Sequence, residues 1–179
     1  EIPIVQMSSL DQKYRLNISR NRLDFFYTAP VPVVDSTPLY LKVLSPLIAQ
    51  FYQYIIGDQK LPISRVGFIT TMFFPEENNI ARIVKRYFSD KSFEKNCELS
   101  FRTNVQSKIK AHTINNILNI EANTLYQRNG DQETSTDGII ITTDINNVPN
   151  EKPLSISMVK SIVTYAEKRL NDDTLREMI

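Results

Sequence analysis

Between Cys97 and Asn147 apolar and polar residues alternate in three successive runs. A period of two is the mark of a strand with one buried face. In CELSFRTNVQSKIK, Leu99, Phe101, Thr103 and Val105 fall on one side, and Glu98, Ser100, Arg102 and Asn104 on the other. After AHTINN, the residues Leu118, Ile120, Ala122 and Thr124 repeat the pattern. A polar loop, RNGDQETSTDG, carries an Asn129-Gly130 turn signal and leads into a strand over Ile139–Ile145. Connections this short and polar return the chain antiparallel, whereas a parallel crossover ordinarily needs a helix. A three-stranded meander is expected.

The flanking sequence supplies helices to cover it. KYRLNISRNRLDFFYTAP alternates twice around Ser19–Arg22 and predicts a β-hairpin. DSTPLYLKVLSPLIAQFYQYIIGDQ has helical spacing, with Ser36 or Thr37 as cap, Pro38 in the first turn and Gly57 as C-cap. Pro46 either kinks this helix or starts a second one. Val66–Phe74 is apolar at nearly every position, which predicts a strand buried on both faces, and Gly67 within it predicts a close backbone approach or a bulge. NNIARIVKRYFSD places Ile80, Ile83, Val84 and Tyr87 on one helical stripe, with Arg82, Lys85 and Arg86 facing away. PLSISMVKSIVTYAEKRL closes the chain as a helix with its stripe at Ile156, Val159, Ile162, Val163, Ala166 and Leu170. The predicted order is ββ-α-β-α-βββ-α: a single α+β domain over residues 1–179, with a mainly antiparallel sheet and helices packed on it. EIPIVQMSSL lacks an initiator Met and NDDTLREMI breaks off in a helix-like pattern, so the chain reads as a piece of a longer one.

Several chemistries fail on composition. The four glycines, Gly57, Gly67, Gly130 and Gly138, have none of the spacings that close backbone amides on phosphate. One cysteine, Cys97, and one histidine, His112, cannot build a zinc site, and no Gly-x-Ser-x-Gly elbow is present. Cys97 reads as a small core residue and His112 as a solvated turn residue between strands. No cofactor is expected. No apolar run is long enough for a membrane-spanning helix.

Two regions keep functional readings open. Residues 78–112 hold eight Lys/Arg against three Asp/Glu, and residues 121–151 hold one Arg against six Asp/Glu. Arg82, Lys85, Arg86, Arg102, Lys108 and Lys110 form a basic set that can follow a phosphate backbone, although the outward strand positions lack exposed aromatics to stack bases. Asp131, Glu133, Asp137 and Asp144 are the oxygen ligands available to a Mg²⁺-type ion. In DGIIITTDINN, Asp144 reads as the end of a strand, followed by turn formers, and a structural acceptor in that turn. The rival reading makes Asp144 a catalytic acid or metal ligand.

YRLNISRNRLDFFY, PLYLKVLSPLIAQFYQYI and ISRVGFITTMFF, with the later IIITTDIN, resemble a sporadically distributed family of uncharacterised bacterial and archaeal proteins. In that family a tight strand pair precedes an aromatic-rich helix and an Arg-Val/Ile-Gly-Leu strand, here Arg65-Val66-Gly67-Phe68. The resemblance implies an α+β fold and a cytoplasmic setting, and no activity. The leading functional expectation is a non-catalytic interaction module that binds another protein or a second copy of itself. Its rivals are a carboxylate-based, Mg²⁺-assisted enzyme around Asp144 and a nucleic-acid binder using Arg82, Lys85, Arg86 and Arg102.

Overall fold

The computed structural model describes residues 5–18, 23–28, 46, 48–95, 98–129, 132–149, 152–170 and 177. The chain divides into two compact units, Glu1–Leu44 and Ser45–Ile179. Together their elements make an α+β protein with two antiparallel sheets.

The first unit holds β1 (Val5–Ser8), β2 (Tyr14–Ile18) and β3 (Leu23–Tyr27), paired in that order. β2 and β3 are the expected hairpin; Ser19–Arg22, its turn, lies outside the described residues, and β1 is an addition. The register sets Tyr14 against Tyr27 and Leu16 against Phe25. The two apolar sets of the hairpin therefore meet on one face, where the Tyr14 and Tyr27 rings lie 5.2 Å apart. Met7 opposite Leu16 extends that face. The other face carries Arg15, whose guanidinium sits 4.4 Å from the Phe26 ring centre. Between β1 and β2 the Ser9 hydroxyl donates to Asp11 and accepts from the Tyr14 amide, which pins the connection.

In the second unit, α1 is helical at residues 48–52 and widens into a π-helical turn over Gln53–Asp58. Pro46 is itself helical, while the cap at Ser36, Thr37 and Pro38 lies outside the described residues. Gly57 is not the C-cap. It falls inside the π turn, and the left-handed position is taken by Lys60, at φ 53°. β4 (Gly67–Pro75), α2 (Asn79–Tyr87), β5 (Ser100–Ile109), β6 (His112–Asn129), β7 (Gln132–Asn147) and α3 (Ile156–Arg169) follow.

β4, β7, β6 and β5 form one antiparallel sheet in that spatial order. The expected meander is present as β5–β6–β7, but β6 and β7 are much longer than their apolar cores. The polar stretch expected as a loop is mostly ladder, with Arg128 opposite Glu133 and Asn129 opposite Gln132. That ribbon runs past both neighbouring strands, and Tyr126 and residues 133–136 on it are exposed, so no apolar alternation marks it. β4 is an edge strand and not one buried on both faces; its residue Ile69 is 62% exposed.

Register assigns the faces. Ile139, Ile141, Thr143 and Ile145 on β7 share one face with Ile114, Leu118 and Ile120 on β6 and with Met72 and Phe74 on β4. Ile83 of α2 packs there against Ile120, Ile139 and Ile141, with Tyr87 and Phe101 rings 4.7 Å apart at the rim. α3 lies on the same face, its Tyr165 hydroxyl donating to Asn116 at 2.9 Å. Val159, Ile162, Val163, Ala166 and Leu170 of its expected stripe are buried, and so is Met158. Each of these side chains other than Ala166 contributes roughly 1.5–3 kcal/mol by leaving water. Ser155 caps α3 by accepting from the Met158 amide. The burial does not reach the far half of β5, where Val105, expected to face inward, is 65% exposed.

Candidate functional site

The opposite face of the sheet is polar. Alternation puts Asp144, Thr142 and Asn146 of β7 there, beside Asn115, Ile117 and Asn119 of β6, Arg102, Asn104 and Gln106 of β5, and Ile69 and Thr71 of β4. Their amides link in one direction across three strands. Asn104 and Gln106 both donate to the Asn115 side-chain oxygen, at 3.3 and 3.0 Å. Asn115 donates to Asn146 at 3.1 Å, and Asn146 donates to Asp144 at 2.8 Å. The chain of donors ends on a carboxylate, the strongest acceptor available, and each link polarises the next.

This places Asp144 differently from the sequence expectation. The strand does not stop there but runs on to Asn147. Asp144 lies in mid-ladder, opposite Ile69 and Ile117, and accepts from a side chain and not from a turn. Asn146 and Asn147 read as turn formers, yet both are buried strand residues: the Asn146 side chain finds partners within the sheet and that of Asn147 in the segments that flank it. Asn147 accepts from the Val66 amide at 2.7 Å and donates to the Ser64 and Val148 carbonyls. It thereby ties the approach to β4 onto the end of β7. Gly67 makes the expected close approach: a Cβ there would lie 3.2 Å from the Asn146 Cβ and 3.7 Å from an Asp144 oxygen. Gly138 serves the Phe73 ring, which comes within 2.3 Å of where its Cβ would be.

The basic residues do not form one surface. Arg82, Lys85 and Arg86 are exposed on α2, as expected. Arg102 is also exposed but lies on the far side of the sheet, since its neighbour Phe101 is the residue that packs against Tyr87 of α2. Arg82 pairs with Glu76 at 3.5 Å, and the Arg86 guanidinium donates to the Glu177 carbonyl. Lys108 shares the Arg102 face; Lys110 occupies the β5–β6 turn at φ 53°.

The remaining acids are similarly dispersed. Asp131 and Cys97 lie outside the described residues. Glu133 is on the exposed ribbon, and Asp137 accepts from the Thr124 hydroxyl at 2.7 Å. Glu76, Glu77 and Asp137 border an open concavity of about 680 Å³ with Ser135 and Thr136. Among the described residues no three acid, His or Cys side chains converge as a metal cage would require. His112 is not a solvated turn residue: it is the half-buried first residue of β6, and its Nδ1 is buried with no partner among the described residues.

Sequence reasoning missed Asn115 and Asn146, the middle of the amide chain. Their signal was present as asparagines and glutamines at alternating strand positions, 104, 106, 115 and 119, where solvated strands more often carry Lys, Glu or Thr. The chain matches no protein-family model, no curated protein and no solved structure.

Proposed function

We propose that this chain is a non-catalytic interaction module, working through its strands and taking a protein partner or a second copy of itself. The observation that carries the reading is the exposure of large apolar side chains on strands. In the first unit Val5, Met7 and Phe25 share a face and are 44%, 50% and 47% exposed. In the second, Ile69 and Val105 are exposed on the two edge strands. Contiguous apolar exposure, as on the face shared by Val5, Met7 and Phe25, marks surfaces that other molecules cover. Further support comes from the candidate acid and cations being engaged: Asp144 by Asn146, Arg82 by Glu76 and Arg86 by a backbone carbonyl. A single cysteine in 179 residues suits a reducing, cytoplasmic setting.

Photo-cross-linking in the cells that make the chain tests this, with the cross-linker placed at Phe25 and, separately, at Ile69. Discrete adducts to a macromolecule that disappear when Met7 or Thr71 is changed to Lys are expected. The absence of adducts from both positions, or a catalytic turnover by the purified chain that Asp144→Asn abolishes, overturns the reading.

A further inference from the structure

We propose that a second copy of this chain adds to the outer edge of β4, pairing β4 with β4 antiparallel about a twofold axis at Thr71. The inference rests on the interaction-module reading and names its partner.

The ladder fixes which backbone groups are available. The Val66 carbonyl accepts from the Asn147 amide, and the Glu76 amide donates to the Asp137 carbonyl. Even-numbered residues of β4 are thus turned toward β7, and Gly67, Ile69, Thr71, Phe73 and Pro75 are turned outward. Among the described residues nothing pairs with that edge. Pro75 stands at an outward position, so its missing N–H leaves the β4–β7 ladder intact and removes one bond at each end of a β4–β4 ladder.

Edge strands in stable monomers are ordinarily guarded by charge. β5, the other edge, carries Arg102 and Lys108. β4 has no charged residue between Val66 and Pro75, and it presents Ile69 at 62% exposure with Thr71 exposed beside it. The strand runs Gly67–Pro75, so its midpoint is Thr71. Antiparallel pairing about that midpoint overlaps the whole strand. It sets Thr71 against Thr71, Ile69 against Phe73 and Gly67 against Pro75. Just beyond the strand, Arg65 in the approach to β4 and Glu77 in the turn after it are both exposed, and this pairing brings them near each other at both ends. Opposite charges thus bracket an uncharged strand, and the twofold axis doubles every contact other than the Thr71 pair that lies on it. An edge-to-edge contact is smaller than a standard interface, so affinity on the order of micromolar is expected.

Sedimentation equilibrium and light scattering on the full chain, from about 1 to 200 µM, provide the test in the range where such an interface dissociates. A monomer–dimer equilibrium is expected. Thr71→Lys puts two cations directly opposite each other and should raise the dissociation constant at least about tenfold while the monomer stays folded by circular dichroism. Arg65→Glu and Glu77→Arg should each weaken the dimer about threefold or more, and the double exchange should return it to within about twofold of the parent. Because the two residues stand at opposite ends of one strand, the rescue can only arise between copies. A monomer at the highest concentration, a dimer indifferent to Thr71→Lys, or a double exchange that fails to rescue overturns the proposal. A monomer that still forms adducts to another macromolecule in cells overturns this inference alone; loss of all adducts overturns the module reading as well.

Discussion

Asn146 donates its side-chain amide to the Asp144 carboxylate across 2.8 Å, two residues along the same face of β7. An asparagine at 144 keeps an oxygen in that place, whereas an alanine leaves the last donor of the amide chain without its acceptor. Asp144→Asn is therefore expected to change stability by less than about 1 kcal/mol, and Asp144→Ala to cost about 1–2 kcal/mol. Urea unfolding of the two variants checks the ordering. A calorimetric titration with Mg²⁺ or Mn²⁺ checks the role: tight binding that Asp144→Asn removes would make the carboxylate a metal ligand after all.

Asn147 is fully buried and satisfies the Val66 amide and two carbonyls. Its removal leaves the buried Val66 amide without an acceptor. Asn147→Ala is expected to cost about 2–4 kcal/mol, read as a lower urea midpoint at unchanged m-value. A loss under about 1 kcal/mol would mean that solvent replaces the side chain there.

Thr143 shows the converse. It is 5% exposed, and its hydroxyl has no partner among the described residues. Valine has the same shape without the unsatisfied oxygen. Thr143→Val should leave stability unchanged or raise it by up to about 1 kcal/mol, seen as an equal or higher melting temperature. A clear drop in melting temperature would reveal a partner for the hydroxyl.

Lys110 turns the chain between β5 and β6 at φ 53°, a conformation costing a side-chain-bearing residue about 1–2 kcal/mol. Glycine relieves that strain but returns about 0.4–1 kcal/mol through a freer unfolded chain. The first effect is larger, so Lys110→Gly is expected to stabilise by up to about 1 kcal/mol in chemical denaturation. A destabilised variant would refute the strain.

Burial pushes the Tyr52 hydroxyl up to about 12 from its ordinary 10.0. The folded state then holds this proton more tightly than the unfolded one. The resulting stability is fully present below pH 10 and is lost as pH rises toward 12. Tyr52→Phe should flatten the stability profile in that window and leave its acidic limb alone. A variant whose alkaline limb matches the parent would show that Tyr52 ionises freely.

Legibility in the sequence followed burial. α2, α3 and the apolar centres of β6 and β7 announced themselves because one side of each meets the core. The outer part of the long ribbon did not, because residues such as Thr134, Ser135 and Thr136 face water and carry no period. β4 misled in the opposite way. Its continuous apolar run suggested a strand covered on both faces, while the sheet leaves it at an edge. Asn146 and Asn147 read as turn formers because propensity registers the residue type and not its partner, and here the partners are Asp144 on the same strand and Val66 in the approach to β4, 81 residues away in sequence. The amide chain through Asn115 depends on register between strands, which no single strand's pattern contains.

The overhang of β6 and β7 beyond β4 and β5 also bears on how such a chain can change in length. In the ladder residues 125–129 pair with 132–136, opposite members lying at Leu125 and Thr136 through Asn129 and Gln132, beyond the last rungs of β4 and β5. Adding or deleting one residue from each strand near the tip lengthens or shortens the ribbon by a single rung and leaves every pairing of β4 and β5 in place. A lone insertion in either strand nearer the base would instead slip Ile139 or Ile120 out of the core. Natural variation in length at this hairpin should therefore come in twos, and a peptide tag of matched halves fits there without disturbing the sheet.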